Sequence, residues 1–569
     1  MKIDITLDGR QSAQKYLFVT YVFQNITEQE LVLDFPTWSP GSYLIREYQS
    51  QVEEVKLIDS KGNHIPFKKT NKHQWAFSGI KTKSAKLTYK VYANVLNVRG
   101  LYADNDFLYF NPCAALFHVS KQTNLKASLK IIVPPKWKTA ISKKPKQGLY
   151  TFKDFDELYD TPAIAAKELT TKSFKANNTQ YKMTFWGTCH TDLDKIVSDT
   201  KKIISKQNTL FKNNPCSLYL FIIIFSRQVL GGGLEHAHSS VNLFDGTALT
   251  NKKKYNSLLS LLSHEHFHLW NIKRFRPTGL GPYDYTQEVY TKDLWLVEGA
   301  TSYYDDHTAY RAGLYTATEY LKILSDSITK LESYKATKTH SLSEASFDTW
   351  IKYYRPTENT FNTATNYYLK GSLVMLILDI LITDLTQGAK NLDDVMLALY
   401  KNYKKNPEKQ LTRQDFVTIA EEETNISLKS FIKKYVDGTH SINWKNEFRK
   451  LGITLNIKKD TSQGFLGVVL SEKNNRLYVQ NITEDSPAFA SNIQAGDEII
   501  AVDRQAITTP KDIDYYLKNK KLTILYNRRG QIAETVVEPT HSAPQTYSLI
   551  VNKKITRQQK KLRDCFLRK

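Results

Sequence analysis

Three histidines and a glutamate fall within five residues of the stretch SLLSHEHFHLW, Ser260 to Trp270. On a helix, His264 and His268 lie one turn apart on the same face and can aim two imidazole nitrogens at a single ion. His266 is about 200° of helical rotation from His264, so it points elsewhere, as a surface or supporting residue. Glu265 follows the first histidine directly and can take a proton from water at such an ion. This is HExxH spacing, and a helix with solvated histidines would carry it too. A third protein ligand decides between the two, because a catalytic zinc takes three protein groups and keeps one position for water. Glu298 in LWLVEGATSYY is the candidate, a carboxylate in an apolar helix entrance that would be costly to bury without a cation. Trp295, Tyr303 and Tyr304 beside it read as core packing.

Two further segments supply what peptide hydrolysis would need. In VLGGGLEHAHSS, Gly232 and Gly233 let a backbone edge approach another chain closely, so an extended peptide can add as a strand. Glu235 would then hold an α-ammonium and set the cut one residue in from the N-terminus, unless it is a surface residue on a tight turn. In NYYLKGS, Tyr368 offers a phenolic donor to a developing oxyanion, while Tyr367 faces elsewhere. Arg274 and Arg276 either hold their loop through Asp305 or Asp306, or bind peptide carbonyls or a downstream carboxylate.

The ordered motifs GGGLEH, HEHFHLWNIKRFRP, LWLVEGATSYYDD and YYLKG resemble the glycyl aminopeptidase family of gluzincin zinc metallopeptidases. The resemblance extends to PTWSPGSYLIREY (Pro36 to Tyr48), to SFIKKYVDGT and to a C-terminal PDZ module, and so takes in nearly the whole chain. It implies one Zn2+ per chain on His264, His268 and Glu298, Glu265 as general base and then acid, Glu235 as amine anchor and Tyr368 as oxyanion donor. It also implies a preference for small N-terminal residues, Gly or Ala. One departure concerns the amine anchor: the broader aminopeptidases carry Met before this glutamate and Asn after it, where this chain has Leu234 and His236.

Elements of three kinds must position these groups, and the expected fold is multidomain α+β. Alternating runs such as KLTYKVYANVLNV, with turns such as SPGS, predict an N-terminal β-rich domain over 1–170. Helical periodicity from Lys252 onward predicts a mainly helical catalytic domain over 171–455, thermolysin-like by the resemblance. A PDZ domain follows over 456–540, then a basic C-terminal tail over 541–569, expected as an appended helix or a disordered end. In the PDZ domain, the loop Gly464, Phe465, Leu466 and Gly467 would cradle a terminal carboxylate with backbone N–H groups, and Ile513 to Leu517 would form part of the groove helix. An ordinary β domain without a ligand is the alternative.

The formal net charge of +22, from 79 Lys and Arg against 57 Asp and Glu, invites a polyanion partner. The lysines are scattered and no nucleic-acid-binding signature gathers them, so no nucleic-acid partner is expected. Four widely spaced cysteines without CxxC spacing, an N-terminus without an apolar leader and no apolar run of about 20 residues lead to an expectation of a cytoplasmic protein with no membrane span. The expected partners are peptides with a free N-terminus, and at the PDZ module a peptide C-terminus or an intramolecular ligand. The function expected is a zinc aminopeptidase. The alternatives are a broader, PDZ-assisted peptidase and a non-catalytic peptide-binding scaffold.

Overall fold

A computed structural model describes residues 1–228, 231–459, 464–540 and 545–568. The chain forms two compact units: the first takes residues 1–291, 304–314 and 396–413, and the second 292–303, 315–395 and 414–569.

The first unit begins with a seven-stranded sheet in which Lys2–Asp8 pairs antiparallel with Tyr16–Gln24 and parallel with Ala127–Ile132. Tyr16–Gln24 shows why this segment is a strand. Leu17, Val19, Tyr21 and Phe23 are buried while the residues between them are half-buried, the period of two that a pleated strand imposes. Two four-stranded sheets complete this β-rich region.

A five-stranded sheet follows, in the order Thr170–Ala176, Thr179–Gly187, Leu218–Phe225, Ser239–Phe244, Gly232–Glu235. Leu218–Phe225 runs parallel to both of its neighbours and is buried almost throughout, which accounts for its unbroken apolar run LYLFIIIF. Gly232–Glu235 is an edge strand, paired on one side with Ser239–Phe244 in the register Gly233 to Asn242. The sheet leads into the helix Lys252–Phe267, capped by the Asn251 side chain, which accepts from the Lys254 N–H at 3.2 Å.

The second unit is built on helices, among them Ala317–Ser333 and the apolar Tyr367–Leu385, and includes a β module near its C-terminal end. That module's sheet runs in the order Val468–Lys473, Arg476–Ile482, Glu498–Val502, Leu522–Arg528, Gln531–Val537, with Gln505–Ala506 beside the third strand. It lies in sequence between two strands that pair with each other, Ile453–Lys459 and Gln545–Val551. The second of these is stitched to the helix Ala317–Ser333, with the Leu549 N–H donating to Ser325 Oγ at 3.0 Å and the Tyr547 N–H to Thr329 Oγ1 at 2.9 Å.

The basic C-terminal run forms the helix Arg557–Phe566, opened by a capping box between Thr556 and Gln559. Arg568 then pairs with buried Asp379 at 3.2 Å and with Asp393 at 3.0 Å. Among the described residues no helix is long and apolar enough to cross a membrane.

Candidate active site

The helix Lys252–Phe267 delivers the two motif histidines to one place. Their Nε2 atoms stand 3.0 Å apart and their rings meet at 85°. His268 Nδ1 lies 3.0 Å from the Asn271 carbonyl oxygen, which can only accept, so that nitrogen carries the proton and Nε2 presents a lone pair. His264 Nδ1 lies 3.3 Å from Asp305 Oδ2, which fixes the second ring in the same sense. Two facing lone pairs repel unless a cation lies between them.

Ligand atoms of His264, His268 and Glu298 all lie within 4.8 Å of one another. Glu298 is buried and sits in a π-helical turn, Trp295–Gly299, that runs into the helix Ala300–Arg311. The sequence predicts an ordinary helical turn here. The wider π turn is a one-residue insertion of the kind found at functional sites. Glu298 and Asp305 are seven residues apart, about two helical turns, so the two carboxylates lie towards one face.

His266 is fully buried and not at the surface. Its Nδ1 meets Gln207 Oε1 at 2.6 Å, its Nε2 meets the Tyr181 hydroxyl at 3.2 Å, and burial pushes its pKa down to about 3. It is a neutral anchor that fixes the back of the motif helix. Trp295, Tyr303 and Tyr304 are buried as expected, with the Tyr303 hydroxyl donating to Asp379 Oδ2 at 2.5 Å.

Glu265 is buried, and a Cβ built on Gly233 would stand 2.0 Å from its Oε1. The edge strand therefore lies directly against this carboxylate, an approach that only glycine permits. Glu235 ends the same strand and is also buried, so the surface-turn alternative does not hold. The residues after it are tied to Asp160: His236 Nδ1 lies 3.0 Å from Asp160 Oδ1, and the Ala237 N–H donates to Oδ2 at 2.7 Å. His236 thus has a structural partner where the broader aminopeptidases carry Asn. Burial alone would raise the Asp160 carboxyl, but the Lys273 ammonium, 3.0 Å away, and His236 hold it well below the usual carboxylate range.

Tyr368 opens the helix Tyr367–Leu385, capped by Asn366. Burial, reinforced by the Glu298 charge, raises its pKa well above the ordinary phenol value, so it stays protonated and able to donate. Tyr367 is committed elsewhere, its hydroxyl 2.9 Å from Thr349 Oγ1. The two segments touch through glycine: a Cβ on Gly299 would lie 2.7 Å from the Gly371 backbone.

Arg274 and Arg276 do not pair with Asp305 or Asp306. Arg274 donates to the carbonyls of Lys273 and Ala237 at 3.1 and 3.4 Å and to Cys216 Sγ at 3.6 Å, and Arg276 lies over the Tyr283 ring. Both line a polar cavity of about 630 Å3 whose walls include none of the three grouped donors. Carbonyls and an aromatic face take the place of the expected carboxylates.

In the C-terminal module, half of the expected carboxylate loop is already used. The Gly464 N–H donates to the Leu517 carbonyl at 3.0 Å and the Phe465 N–H to that of Thr540 at 2.6 Å. Among the described residues, the N–H groups of Leu466 and Gly467 have no acceptor. Of Ile513 to Leu517, the helix Pro510–Asp514 takes in only Ile513 and Asp514, and a turn follows.

Family models match three parts of the chain: the M61 peptidase N-terminal domain over 4–167, the M61 glycyl aminopeptidase over 257–374 and a PDZ domain over 464–530. The chain carries both domains of the M61 glycyl aminopeptidase family and a PDZ domain. Over its full length the M61 chain is similar to a solved aminopeptidase N family protein from Idiomarina loihiensis, with a TM-score of 0.92 at 26% identity, covering 99% of this chain and 100% of that one. An M1 zinc metallopeptidase from Deinococcus radiodurans gives a TM-score of 0.48 at 13% identity, covering 78% of the M61 chain and 94% of its own. No curated protein matches the M61 chain.

Sequence reasoning missed Asp305 as the partner of His264, and missed Asp160 altogether. Asp305 had a legible signal in its two-turn spacing from Glu298. Asp160 had none, because its partners are far away along the chain.

Proposed function

We propose that the chain is a zinc-dependent aminopeptidase that releases the N-terminal residue of peptides, with glycine and alanine favoured there. The observation that carries this reading is the convergence of His264, His268 and Glu298 within 4.8 Å, with both imidazoles presenting Nε2. Two neutral imidazoles and one carboxylate are a donor set that fits zinc. Bound there, zinc would supply a Lewis acid that acidifies water and polarises the scissile carbonyl.

The remaining steps belong to the chain's own side chains. Glu265 takes a proton from the attacking water and returns it to the leaving amine. Tyr368, held protonated, donates to the carbonyl oxygen as charge develops on it. Among the described residues the edge strand Gly232–Glu235 pairs on one side only, so an extended peptide can add to the other, and Glu235 accepts the substrate ammonium. The test is to compare peptides with free and acetylated N-termini while measuring metal on the same sample. Cleavage of the free form alone, with about one zinc per chain, is expected. Equal cleavage of both would remove the amine anchor, and active protein without a divalent metal would remove the zinc mechanism.

A further inference from the structure

The turn Ser39-Pro40-Gly41-Ser42 belongs to the N-terminal β-rich region, yet it lies against the residue proposed above as the amine anchor. The Ser42 N–H donates to the Ser39 carbonyl at 3.1 Å, and Gly41 has φ +85°. Proline second and a left-handed glycine third make a type II turn. Its flanks are fastened by Trp38 Nε1, which donates to the Asp284 carbonyl at 2.8 Å, and by Arg46, which donates to Ser42 Oγ at 2.7 Å.

A Cβ on Gly41 would stand 2.6 Å from both Oε1 and Oε2 of Glu235 and 2.7 Å from Leu234 Cδ1. Equal distances mean that the turn meets the carboxylate as a whole and not one oxygen of it. Real Cβ atoms do not approach so closely, so any side chain here must displace either the turn or Glu235. The same region supplies Asp160, which holds the two residues that follow Glu235.

We propose that the N-terminal domain sets the position of the amine-anchoring carboxylate, with Gly41 as the positioning residue and the SPGS turn as the surface against which Glu235 is seated. A substrate ammonium then reaches Glu235 from the side that the turn leaves open. This rests on Glu235 being the amine anchor, and the experiment separates the two claims.

Gly62 provides the control. It has φ +88° in the same domain, with nothing within 4 Å of a built Cβ, so Gly62→Ala carries the backbone strain of Gly41→Ala without the collision. Kinetics are measured for the wild type, Gly41→Ala, Gly62→Ala and Glu235→Gln on one peptide with a free and with an acetylated N-terminus, alongside thermal unfolding. Gly41→Ala is expected to raise KM for the free peptide at least about tenfold, with a smaller change in kcat, and to bring the free-to-acetylated ratio towards that of Glu235→Gln. Gly62→Ala is expected to lower the unfolding temperature by its backbone strain alone, less than Gly41→Ala does, and to keep the wild-type ratio. Should Gly41→Ala fail to fold, Gly41→Asn replaces it, because Asn tolerates left-handed φ and still carries the colliding Cβ. A folded Gly41 variant with wild-type KM and ratio overturns the proposal while Glu235→Gln still collapses the ratio. An unchanged ratio in Glu235→Gln overturns the amine anchor, and the role of Gly41 with it.

Discussion

The motif helix and the PDZ loop are both short sequence signatures, yet their polar groups are treated in opposite ways. On the helix every histidine is held by a second group: His264 by Asp305, His266 by Gln207 and Tyr181, and His268 by the Asn271 carbonyl. In the loop, two N–H groups serve the fold and those of Leu466 and Gly467 have no acceptor among the described residues. The helix holds its rings in set orientations, the condition that the proposed metal site requires. The loop leaves two of its four donors uncommitted among the described residues.

The sharpest way to break the contrast is to remove a donor from the preorganised end. His268→Ala should lose metal and lower turnover by at least about a thousandfold, checked by metal analysis and by failure of added zinc to restore the rate. Glu265→Gln should cost about a hundredfold to ten-thousandfold in kcat while metal content stays at the wild-type level, which separates base from ligand. Tyr368→Phe should lower kcat by about a hundredfold to a thousandfold with a smaller change in KM, measured on a free-amine peptide. Asp305→Asn leaves both imidazoles in place but weakens the hold on His264. Competition with a chelator should show metal affinity reduced by about 10-fold to 100-fold.

The smallest effect on chemistry is expected at the other end. Gly467 has φ +81°, and a Cβ there would lie 2.1 Å from Ser486 Cβ, so Gly467→Ala must distort the loop. Binding of a peptide with a free C-terminal carboxylate, read by calorimetry, should weaken, while turnover of a short peptide amide stays within about twofold of wild type. A large loss of turnover in this variant would mean that the two regions are not independent.

What the sequence made legible follows the same division. That His264, His268 and Glu298 come together could be expected, because residues four apart share a helix face and a carboxylate in LWLVEGA has to be explained. The β-rich start was legible in the alternation of KLTYKVYANVLNV, and the module near the C-terminus in GFLG and AGDEIIAVD. Contacts between distant segments were not. The SPGS turn could be recognised as a turn, but nothing local shows that Glu235 lies on it. Helix geometry left His266 open between a surface and a supporting place; Gln207 and Tyr181 satisfy its imidazole inside the core, which is the second of these. For the arginines after the motif, charge suggested carboxylate partners where the chain supplies carbonyls and a tyrosine ring.

Gly299 and Gly371 bring two backbones together with no side chain to act as a cushion. Segments packed this closely cannot roll or slip past one another without a collision, so the spacing between Glu298 and Tyr368 is machined into the main chain and not adjusted by surrounding residues. A single methyl group at either glycine would act as a wedge, prising the carboxylate and the phenol apart without touching either one.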